Sequence, residues 1–273
     1  MFSLAGKSCV VTGASRGLGR AIALTFAEQG ADVVLAARSV GDLAEVAREI
    51  EAKGRRAVVQ PTDVTDVRQL QALAARAVAS LGGLDVWVNN AGGDTSIEGG
   101  WAEWLEVTET GWERMLRLNL KAQVFGAQAA ARAMREQGRG GAIIFLSSID
   151  GLYAAPGGEG IYGACKAALN NVTQTMAVEL GQFGIRVNAI APAVVETPLT
   201  APWLATEADR RARAAFYPLR RVGQPADVAA AAVYFASDAA AWVSGAVLLV
   251  SGGAVMTSDP YRYLMRVNRG ETP

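Results

Sequence analysis

Histidine is absent from the 273-residue chain, and cysteine occurs only twice. Without histidine, neither a Ser-His-Asp nor a Cys-His nucleophile can form, and zinc sites built on imidazole are excluded. Two thiols cannot build a four-cysteine zinc site either, so we expect no metal centre. Cys9 falls in a predicted buried strand and Cys165 in a predicted helix, where reduced, buried thiols are the expected state.

A net charge and long apolar runs are also missing. The 26 Lys and Arg residues balance the 26 Asp and Glu residues, so no overall field attracts nucleic acid or an anionic membrane. No stretch reaches transmembrane length, and the first residues lack the apolar run of a signal peptide. We therefore expect a cytoplasmic protein without nucleic-acid or membrane partners. The length suits a single α/β domain over residues 1–273.

Short apolar runs rich in Val and Ile alternate with longer helical patterns. The predicted strands are 8–12, 32–37, 57–60, 85–89, 142–147, 186–190 and 247–250. The predicted helices are 18–29, 43–53, 67–81, 112–137, 161–182 and 226–237. Strands that are apolar throughout are typical of a parallel sheet covered on both faces. The alternation predicts a Rossmann-type doubly wound sheet of about seven strands, flanked by helices on both faces.

Two segments, 92–109 and 193–217, escape this alternation, and the tail 254–273 is also irregular. Long connections in a compact domain usually serve as lids or binding loops, so we expect the first two to form a substrate pocket. Their apolar and aromatic residues are Trp101, Trp104, Leu105, Leu199, Trp203, Phe216 and Tyr217. They favour an apolar or ring-containing carbonyl substrate. Packing on the core or on a neighbouring subunit explains them equally well.

The first strand leads into Thr12-Gly-Ala-Ser-Arg-Gly-Leu-Gly19 and then into a helix. In a dinucleotide-binding loop, glycines permit a tight turn, close approach of the backbone to the pyrophosphate and close helix–strand packing. The helix N-terminus then faces the phosphates. The Gly-x-x-x-Gly-x-Gly spacing differs from the commoner Gly-x-Gly-x-x-Gly, and a glycine-rich turn without a ligand is the alternative.

The end of the second predicted strand indicates which dinucleotide binds. An NAD site places a carboxylate there for the ribose 2′-hydroxyl, whereas this chain has Ala37 followed by Arg38. Arg38, together with Arg16 of the glycine loop, suits a 2′-phosphate. The pair predicts NADP(H) rather than NAD(H). Solvated surface arginines are the simpler alternative.

Tyr162 and Lys166 stand four residues apart on a predicted helix and therefore on one face. A nearby ammonium lowers the pKa of a tyrosine, which can then exchange a proton with a ketone or an alcohol. Ser148 follows a predicted strand and can donate a hydrogen bond to the substrate oxygen; Ser147 is an alternative. Simple packing of the pair, and a capping role for the serine, are the other interpretations. Asp150 either lines the pocket or fixes its loop.

From about Gly6 to Gly253, these motifs together resemble the compact, single-domain branch of the short-chain dehydrogenase/reductase family. The resemblance implies a catalytic tetrad of Asn119, Ser148, Tyr162 and Lys166. It also implies cofactor contacts from Gly13, Ser15, Arg16, Gly17, Leu18, Gly19, Arg38, Asp63, Val64, Asn90, Ala91, Gly92, Tyr162, Lys166, Pro192, Val195 and Thr197. Asp63 and Val64 would contact adenine, and the last three residues would lie beside the nicotinamide. Departures are Ala193 after Pro192, Ser251 before the closing glycines, and a long Ser148–Tyr162 interval.

The resemblance also implies an activity. The chain would be an NADP(H)-dependent ketone reductase or alcohol dehydrogenase, with a small carbonyl or alcohol compound as substrate. Asn119 would hold a water in a proton relay through Lys166, which would also bind the nicotinamide ribose. A homotetramer, or otherwise a homodimer, is expected because the helices 112–137 and 161–182 are apolar on more than one face. The alternatives are a redox-inactive NADP(H)-binding regulator and an epimerase or dehydratase.

Overall fold

The computed structural model describes residues 2–93, 95–154 and 157–254. The strands are β1 Ser8–Thr12, β2 Asp32–Ala37, β3 Ala57–Pro61, β4 Val86–Asn89, β5 Gly141–Leu146, β6 Ile185–Pro192 and β7 Val247–Val250. The α-helices are α1 Gly17–Glu28, α2 Val40–Ala52, α3 Val67–Leu81, α4 Glu109–Leu116, α5 Ala122–Gln137, α6 Gly160–Leu180, α7 Glu207–Ala215 and α8 Pro225–Ala236. The predicted alternation of strands and helices is confirmed, with most boundaries within one to three residues.

Within the described residues, the strands form one parallel sheet in the order β3-β2-β1-β4-β5-β6-β7. Val10 of β1, for example, lies opposite Val34 of β2 on one side and Trp87 of β4 on the other. The chain winds outward in one direction from β1 and in the other from β4. Ligands of such sheets bind at the carboxyl ends of the strands at this switch point. The predicted Rossmann-type fold is confirmed.

Two apolar layers cover the sheet. Helices α1, α2 and α8 pack on one face, where Phe26 and Leu43 are fully buried. Helices α3, α5 and α6 pack on the other face, over fully buried Trp87 and Phe145. Because both faces are covered, the middle of a central strand is apolar on both sides, as in Cys9–Val11 of β1 and Val86–Val88 of β4, so these stretches form continuous apolar runs in the sequence.

The predicted helix 112–137 is interrupted in the structure. Between α4 and α5 the chain forms a π-helical turn, Arg117–Lys121, with Asn119 fully buried at its centre. The Oδ1 atom of Asn119 accepts a hydrogen bond from the Gly93 N–H at 2.9 Å, and its Nδ2 donates to the Met115 carbonyl at 3.2 Å. The prediction of one regular helix over 112–137 was wrong, because the apolar periodicity of the sequence does not reveal the contact between Asn119 and Gly93. Such π-bulges are frequent at functional sites.

The two irregular segments differ in structure. Residues 95–108 form turns without helix or strand, whereas 193–217 contains a 3-10 turn, Ala201–Leu204, and α7. Helix α7 begins with a capping box, in which Thr206 and Asp209 satisfy each other's backbone N–H groups. Apart from Ala254, the predicted tail lies outside the described residues.

Two further expectations concern thiols and membranes. Cys9 and Cys165 are both free and buried, as predicted. In the described part of the chain, the search for a helix of sufficient length and hydropathy to span a bilayer finds none.

Candidate active site

The loop between β1 and α1 lies at the switch point of the sheet and is shaped by its glycines. Gly13 and Gly17 have φ angles of +66° and +57°, a region that other residues rarely adopt. A Cβ atom on Gly19 would overlap the Gly13 carbonyl and lie 2.5 Å from the Nδ2 atom of Asn90. Arg16, the N-cap residue of α1, makes no side-chain capping bond. The first N–H groups of α1 therefore have no side-chain cap, which fits a bound pyrophosphate.

Thr12 fastens this loop to the end of β4. Its hydroxyl donates to the Val88 carbonyl at 3.1 Å and accepts from the N–H groups of Asn90 and Ala91 at 2.9 and 3.1 Å. The Asn90 side chain in turn donates to the Thr12 carbonyl at 2.8 Å. The structural role of Thr12 was missed in the sequence, where its only signal was its position before the first glycine.

The predicted adenosine side carries free cationic groups. Arg16 and Arg38 are both exposed, and neither guanidinium has an ion-pair partner among the residues that the structure describes. Asp63 accepts hydrogen bonds from the Thr65 N–H and hydroxyl at 2.9 and 2.8 Å, so its carboxylate shapes the turn after β3. Val64 beside it is buried.

The segment after β6 turns back towards the glycine loop. Pro192 ends β6, and Val195 is buried and pairs with Gly223 in an isolated bridge. A Cβ atom on Gly17 would lie 3.6 Å from the Cβ atom of Thr197. The structure therefore brings the predicted nicotinamide segment next to the predicted phosphate loop. Ala193, where the family usually has glycine, donates its N–H to the Val250 carbonyl at 3.1 Å and leaves this arrangement intact.

Lys166 lies beneath Tyr162 on the inner face of α6. Its Nζ atom is 5.2 Å from the centre of the Tyr162 ring and donates a hydrogen bond to the Leu146 carbonyl at 2.6 Å. The side chain is 3% exposed. Burial lowers the pKa of Lys166 to about 8, against the smaller raising effects of Cys165 and Asp150. The amine therefore keeps its proton at neutral pH but loses it at mildly alkaline pH.

The protonation of Tyr162 differs from the sequence prediction. Burial raises the pKa of Tyr162 above its usual value, the Asp150 charge raises it further, and a hydrogen bond with Ser148 lowers it. The sequence argument from Lys166 expected a pKa below the usual value, whereas the pKa is raised, because burial outweighs the lowering effect of the Ser148 hydrogen bond. A phenol that holds its proton at neutral pH is the form needed to donate a proton to a carbonyl oxygen.

The two serines after β5 have different surroundings. Ser147 is buried and donates to the Oδ1 atom of Asn170 at 2.6 Å, so it faces the core. Ser148 instead donates to the Oδ2 atom of Asp150 at 2.9 Å and lies near enough to Tyr162 to affect its pKa. The structure therefore favours Ser148 over Ser147 as the site serine. It also gives the Ser148 proton a partner that sequence reasoning did not assign.

Two carboxyl groups stand close to this site. Burial raises the pKa of Asp150, against the lowering effects of its Ser148 hydrogen bond and the Lys166 charge. Burial also raises the pKa of Glu159 to about 7; Asp150 adds to this shift, and Arg213 of α7 opposes it. Sequence reasoning missed Glu159 as a site residue, because its position in the glycine-rich stretch before α6 gave no chemical signal.

Aromatic side chains from the segment 92–109 line the approach to Tyr162. Trp101 packs on the Tyr162 ring with centroids 5.0 Å apart and an interplanar angle of 30°. Trp104 is 64% exposed and lies against Gly160, where a Cβ atom would meet its ring at 2.7 Å. Leu105 is exposed as well, whereas Tyr217 is buried. The tryptophans thus flank the site, and Tyr217 packs inside the protein.

No metal site accompanies these groups in the part of the chain that the structure describes. Comparison with known proteins agrees with the geometry. The family described as enoyl-(acyl carrier protein) reductase matches residues 13–255. A putative short-chain alcohol dehydrogenase from Sinorhizobium meliloti 1021 superposes with a TM-score of 0.86 at 40% identity, covering 94% of this chain and 99% of that structure.

Two curated relatives are similar over nearly their whole length. L-rhamnose 1-dehydrogenase (NAD(P)(+)) of Sphingomonas sp. (strain SKA58) is 41% identical, covering 92% of this chain and 96% of that protein. 3beta-hydroxysteroid dehydrogenase 1 of Eggerthella lenta is 39% identical, covering 93% and 95%. With its parallel sheet, glycine loop and Tyr162–Lys166 helix, the chain belongs to the short-chain dehydrogenase/reductase family and is a pyridine-nucleotide-dependent oxidoreductase.

Proposed function

We propose that the protein is an NADP(H)-preferring oxidoreductase that interconverts a carbonyl group and a secondary alcohol on a ring-containing small molecule. The observation that carries this proposal is the arrangement of Ser148, Tyr162 and Lys166 at the carboxyl edge of the sheet, beside the glycine loop. Tyr162 holds its proton at neutral pH and lies at this edge of the sheet, where ligands of this fold bind.

Each group in this arrangement has a distinct task. The bound nicotinamide cofactor supplies or accepts the hydride. Tyr162 donates a proton to the carbonyl oxygen in reduction and removes it in oxidation. Lys166 holds a positive charge below the tyrosine, and Asn119 fixes the backbone of Gly93 at the edge of the crevice. Together these groups orient the substrate oxygen and stabilise the charge that develops on it.

The preference for NADP(H) rests on the adenosine side of the crevice. Ala37 ends β2 without a carboxylate that would repel a 2′-phosphate. The exposed guanidinium groups of Arg16 and Arg38 are available for charge-assisted hydrogen bonds to that phosphate. The rhamnose dehydrogenase relative, by its name, uses either nucleotide. A preference in this chain is therefore a matter of relative affinity, which kinetic constants for both cofactors measure.

The substrate class rests on the walls of the site and on the relatives. Trp101 and Trp104 offer flat apolar surface beside Tyr162, which suits a ring. The two relatives are named for L-rhamnose and for a 3β-hydroxysteroid, whose reacting hydroxyl groups are both borne on a ring. These two compounds represent the polar and the apolar end of the proposed class.

The test is a panel of ring alcohols and ketones, assayed for nucleotide absorbance at 340 nm with NADP(H) and with NAD(H). L-rhamnose, a 3β-hydroxysteroid, cyclohexanol and cyclohexanone cover the class. We expect turnover of at least one compound, faster with the phosphorylated cofactor. Tight NADPH binding without any turnover would instead indicate a redox-inactive regulator. Conversion of a compound with no net change at 340 nm would indicate an epimerase or dehydratase.

The oligomeric state is a further part of the proposal. We expect a homotetramer, or otherwise a homodimer, because Val178 on α6 and Trp242 before β7 are 83% and 100% exposed. Large apolar side chains exposed in this way are typical of surfaces covered by another subunit. The cytoplasmic location expected from the sequence stays a prediction.

A further inference from the structure

The hydrogen-bonding capacity of Ser148 is almost fully used within the protein. A serine hydroxyl has one proton and two lone pairs. The proton is donated to the Oδ2 atom of Asp150 at 2.9 Å, and one lone pair accepts from the Asp150 N–H at 3.2 Å. One lone pair remains, and it can accept from the Tyr162 hydroxyl or from a substrate hydroxyl. In this arrangement Ser148 can accept a hydrogen bond from an alcohol but cannot donate one to a carbonyl.

Asp150 is held in place by its backbone. It lies in the 3-10 turn Ile149–Gly151, whose last residue packs so closely on α6 that a Cβ atom on Gly151 would lie 2.6 Å from the Lys166 carbonyl carbon. The Nδ2 atom of Asn170 donates to the Gly151 carbonyl at 3.0 Å. The carboxyl group therefore stays next to Ser148, and the contact is a fixed part of the site.

We propose that Asp150 is a positioning residue that sets the direction of the Ser148 hydrogen bond. When Asp150 is ionised, Ser148 donates to it and offers a lone pair to the substrate hydroxyl. When Asp150 is protonated, its O–H donates to the Ser148 oxygen, and the Ser148 O–H turns to the substrate carbonyl. No proton leaves Asp150 in this exchange, because Tyr162 remains the proton donor. The inference rests on the proposed reaction, whose carbonyl oxygen is the acceptor.

The surroundings of Asp150 bring its neutral form within reach. The titratable groups that interact with it are Lys166 and Tyr162 on α6, Glu159 before α6, and Tyr217 after α7. Burial raises the pKa of Asp150, while the Ser148 hydrogen bond and the Lys166 charge lower it. Since an Asp with a raised pKa is ionised only as the pH rises, the form that lets Ser148 donate is favoured on the acidic side.

The variants Asp150→Asn and Asp150→Ala test this inference, with Asp238→Asn as the control. Asn cannot ionise but keeps an N–H donor towards Ser148, whereas Ala keeps neither function. Asp238 is exposed and pairs with Lys7 at 3.1 Å, far along the chain from the site. The measurement is kcat/KM for carbonyl reduction against pH, with whichever ring ketone the wild type reduces.

We expect the wild type and Asp238→Asn to lose activity as Asp150 ionises with rising pH, and Asp150→Asn to lack that inflection. Asp150→Ala removes the acceptor of the Ser148 proton, so it should also lack the inflection and keep its reduction activity at alkaline pH, while NADPH binding is retained. A pH profile of Asp150→Asn or of Asp150→Ala that keeps the wild-type inflection would overturn the inference.

A second measurement needs no substrate. Infrared titration, with the Asp150 carboxyl band identified by its absence in Asp150→Asn, follows the ionisation of this group directly. Because the Ser148 hydrogen bond lowers the pKa of Asp150, Ser148→Ala should raise it. An unchanged titration in Ser148→Ala would refute the contact. If no compound of the panel is turned over but the Asp150 titration still shifts in Ser148→Ala, the proposed function is contradicted. The contact between Asp150 and Ser148 is then still supported.

Discussion

Replacement of Gly19 by alanine tests how closely α1 packs on the glycine loop. The new Cβ atom would overlap the Gly13 carbonyl oxygen and lie 2.5 Å from Asn90 Nδ2, well inside ordinary contact. Gly41 is the matched control, because it also lies in the first turn of a helix, α2, and a Cβ atom there meets nothing within 4 Å. Alanine therefore replaces glycine once where the new methyl group has no room, at Gly19, and once where it has room, at Gly41.

The two substitutions should change the free energy of unfolding in opposite directions. Alanine in a helix is about 0.5–1 kcal/mol more stable than glycine, so Gly41→Ala should raise the free energy of unfolding by that amount. In Gly19→Ala, overpacking costs about 1–3 kcal/mol and outweighs this gain. The displaced loop should also lose hydrogen bonds to the pyrophosphate, each worth roughly 1.5–3 kcal/mol, or about ten- to a hundredfold in the Kd for NADPH.

Denaturant unfolding and fluorescence titration with NADPH measure the two effects. We expect Gly41→Ala to bind NADPH like the wild type, and Gly19→Ala to be destabilised and to bind weakly. If Gly19→Ala unfolded at the same denaturant concentration as Gly41→Ala and kept the wild-type Kd, the glycine would not be required by close packing. The loop would then not be the phosphate site that its geometry suggests.

The remaining predictions concern cofactor choice, pH and assembly. Arg38→Ala should raise KM for NADPH about ten- to a hundredfold with little change for NADH, and Ala37→Asp should shift preference towards NADH; equal losses for both cofactors in Arg38→Ala would place the 2′-phosphate elsewhere. Because burial lowers the pKa of Lys166 to about 8, its charge is lost above that pH, so kcat/KM for reduction should fall there. Lys166→Arg stays charged, so its kcat/KM should not fall in this pH range. The same fall in the wild type and in Lys166→Arg would show that Lys166 does not cause it. Light scattering should give a tetramer or dimer that the charged variants Val178→Glu or Trp242→Glu weaken; a monomeric wild type at working concentration would contradict this.

The fold could be predicted from the sequence because its elements are local and strongly patterned. The bounds of β1, β2, β7 and α3 agree with the predicted 8–12, 32–37, 247–250 and 67–81. Each of these strands is a short apolar run between turns, and buried parallel strands need apolar residues on both faces. The Tyr162–Lys166 pair was equally visible, because a spacing of four on a helix fixes their common face.

The rest of the site depends on contacts between distant parts of the chain. The π-turn at Asn119 is accompanied by a hydrogen bond from Gly93, which no helical periodicity encodes. The protonation of Tyr162 depends on burial under Trp101 and on the Asp150 charge, so a pairwise argument from Lys166 gave the wrong direction. The hydrogen bond between Ser148 and Asp150 forms because the 3-10 turn brings Asp150 back towards Ser148. The sequence did not indicate this turn.

The most direct test of the account is the single-turnover rate of carbonyl reduction by Tyr162→Phe with NADPH bound. The substitution removes the phenolic proton and keeps the ring that packs on Trp101, so the fold and NADPH binding should be retained. Loss of a general acid typically lowers the rate by on the order of 10²–10⁴, and we predict a loss in that range. A variant that binds NADPH and reduces the ketone at the wild-type rate would contradict the assignment of Tyr162 as the proton donor.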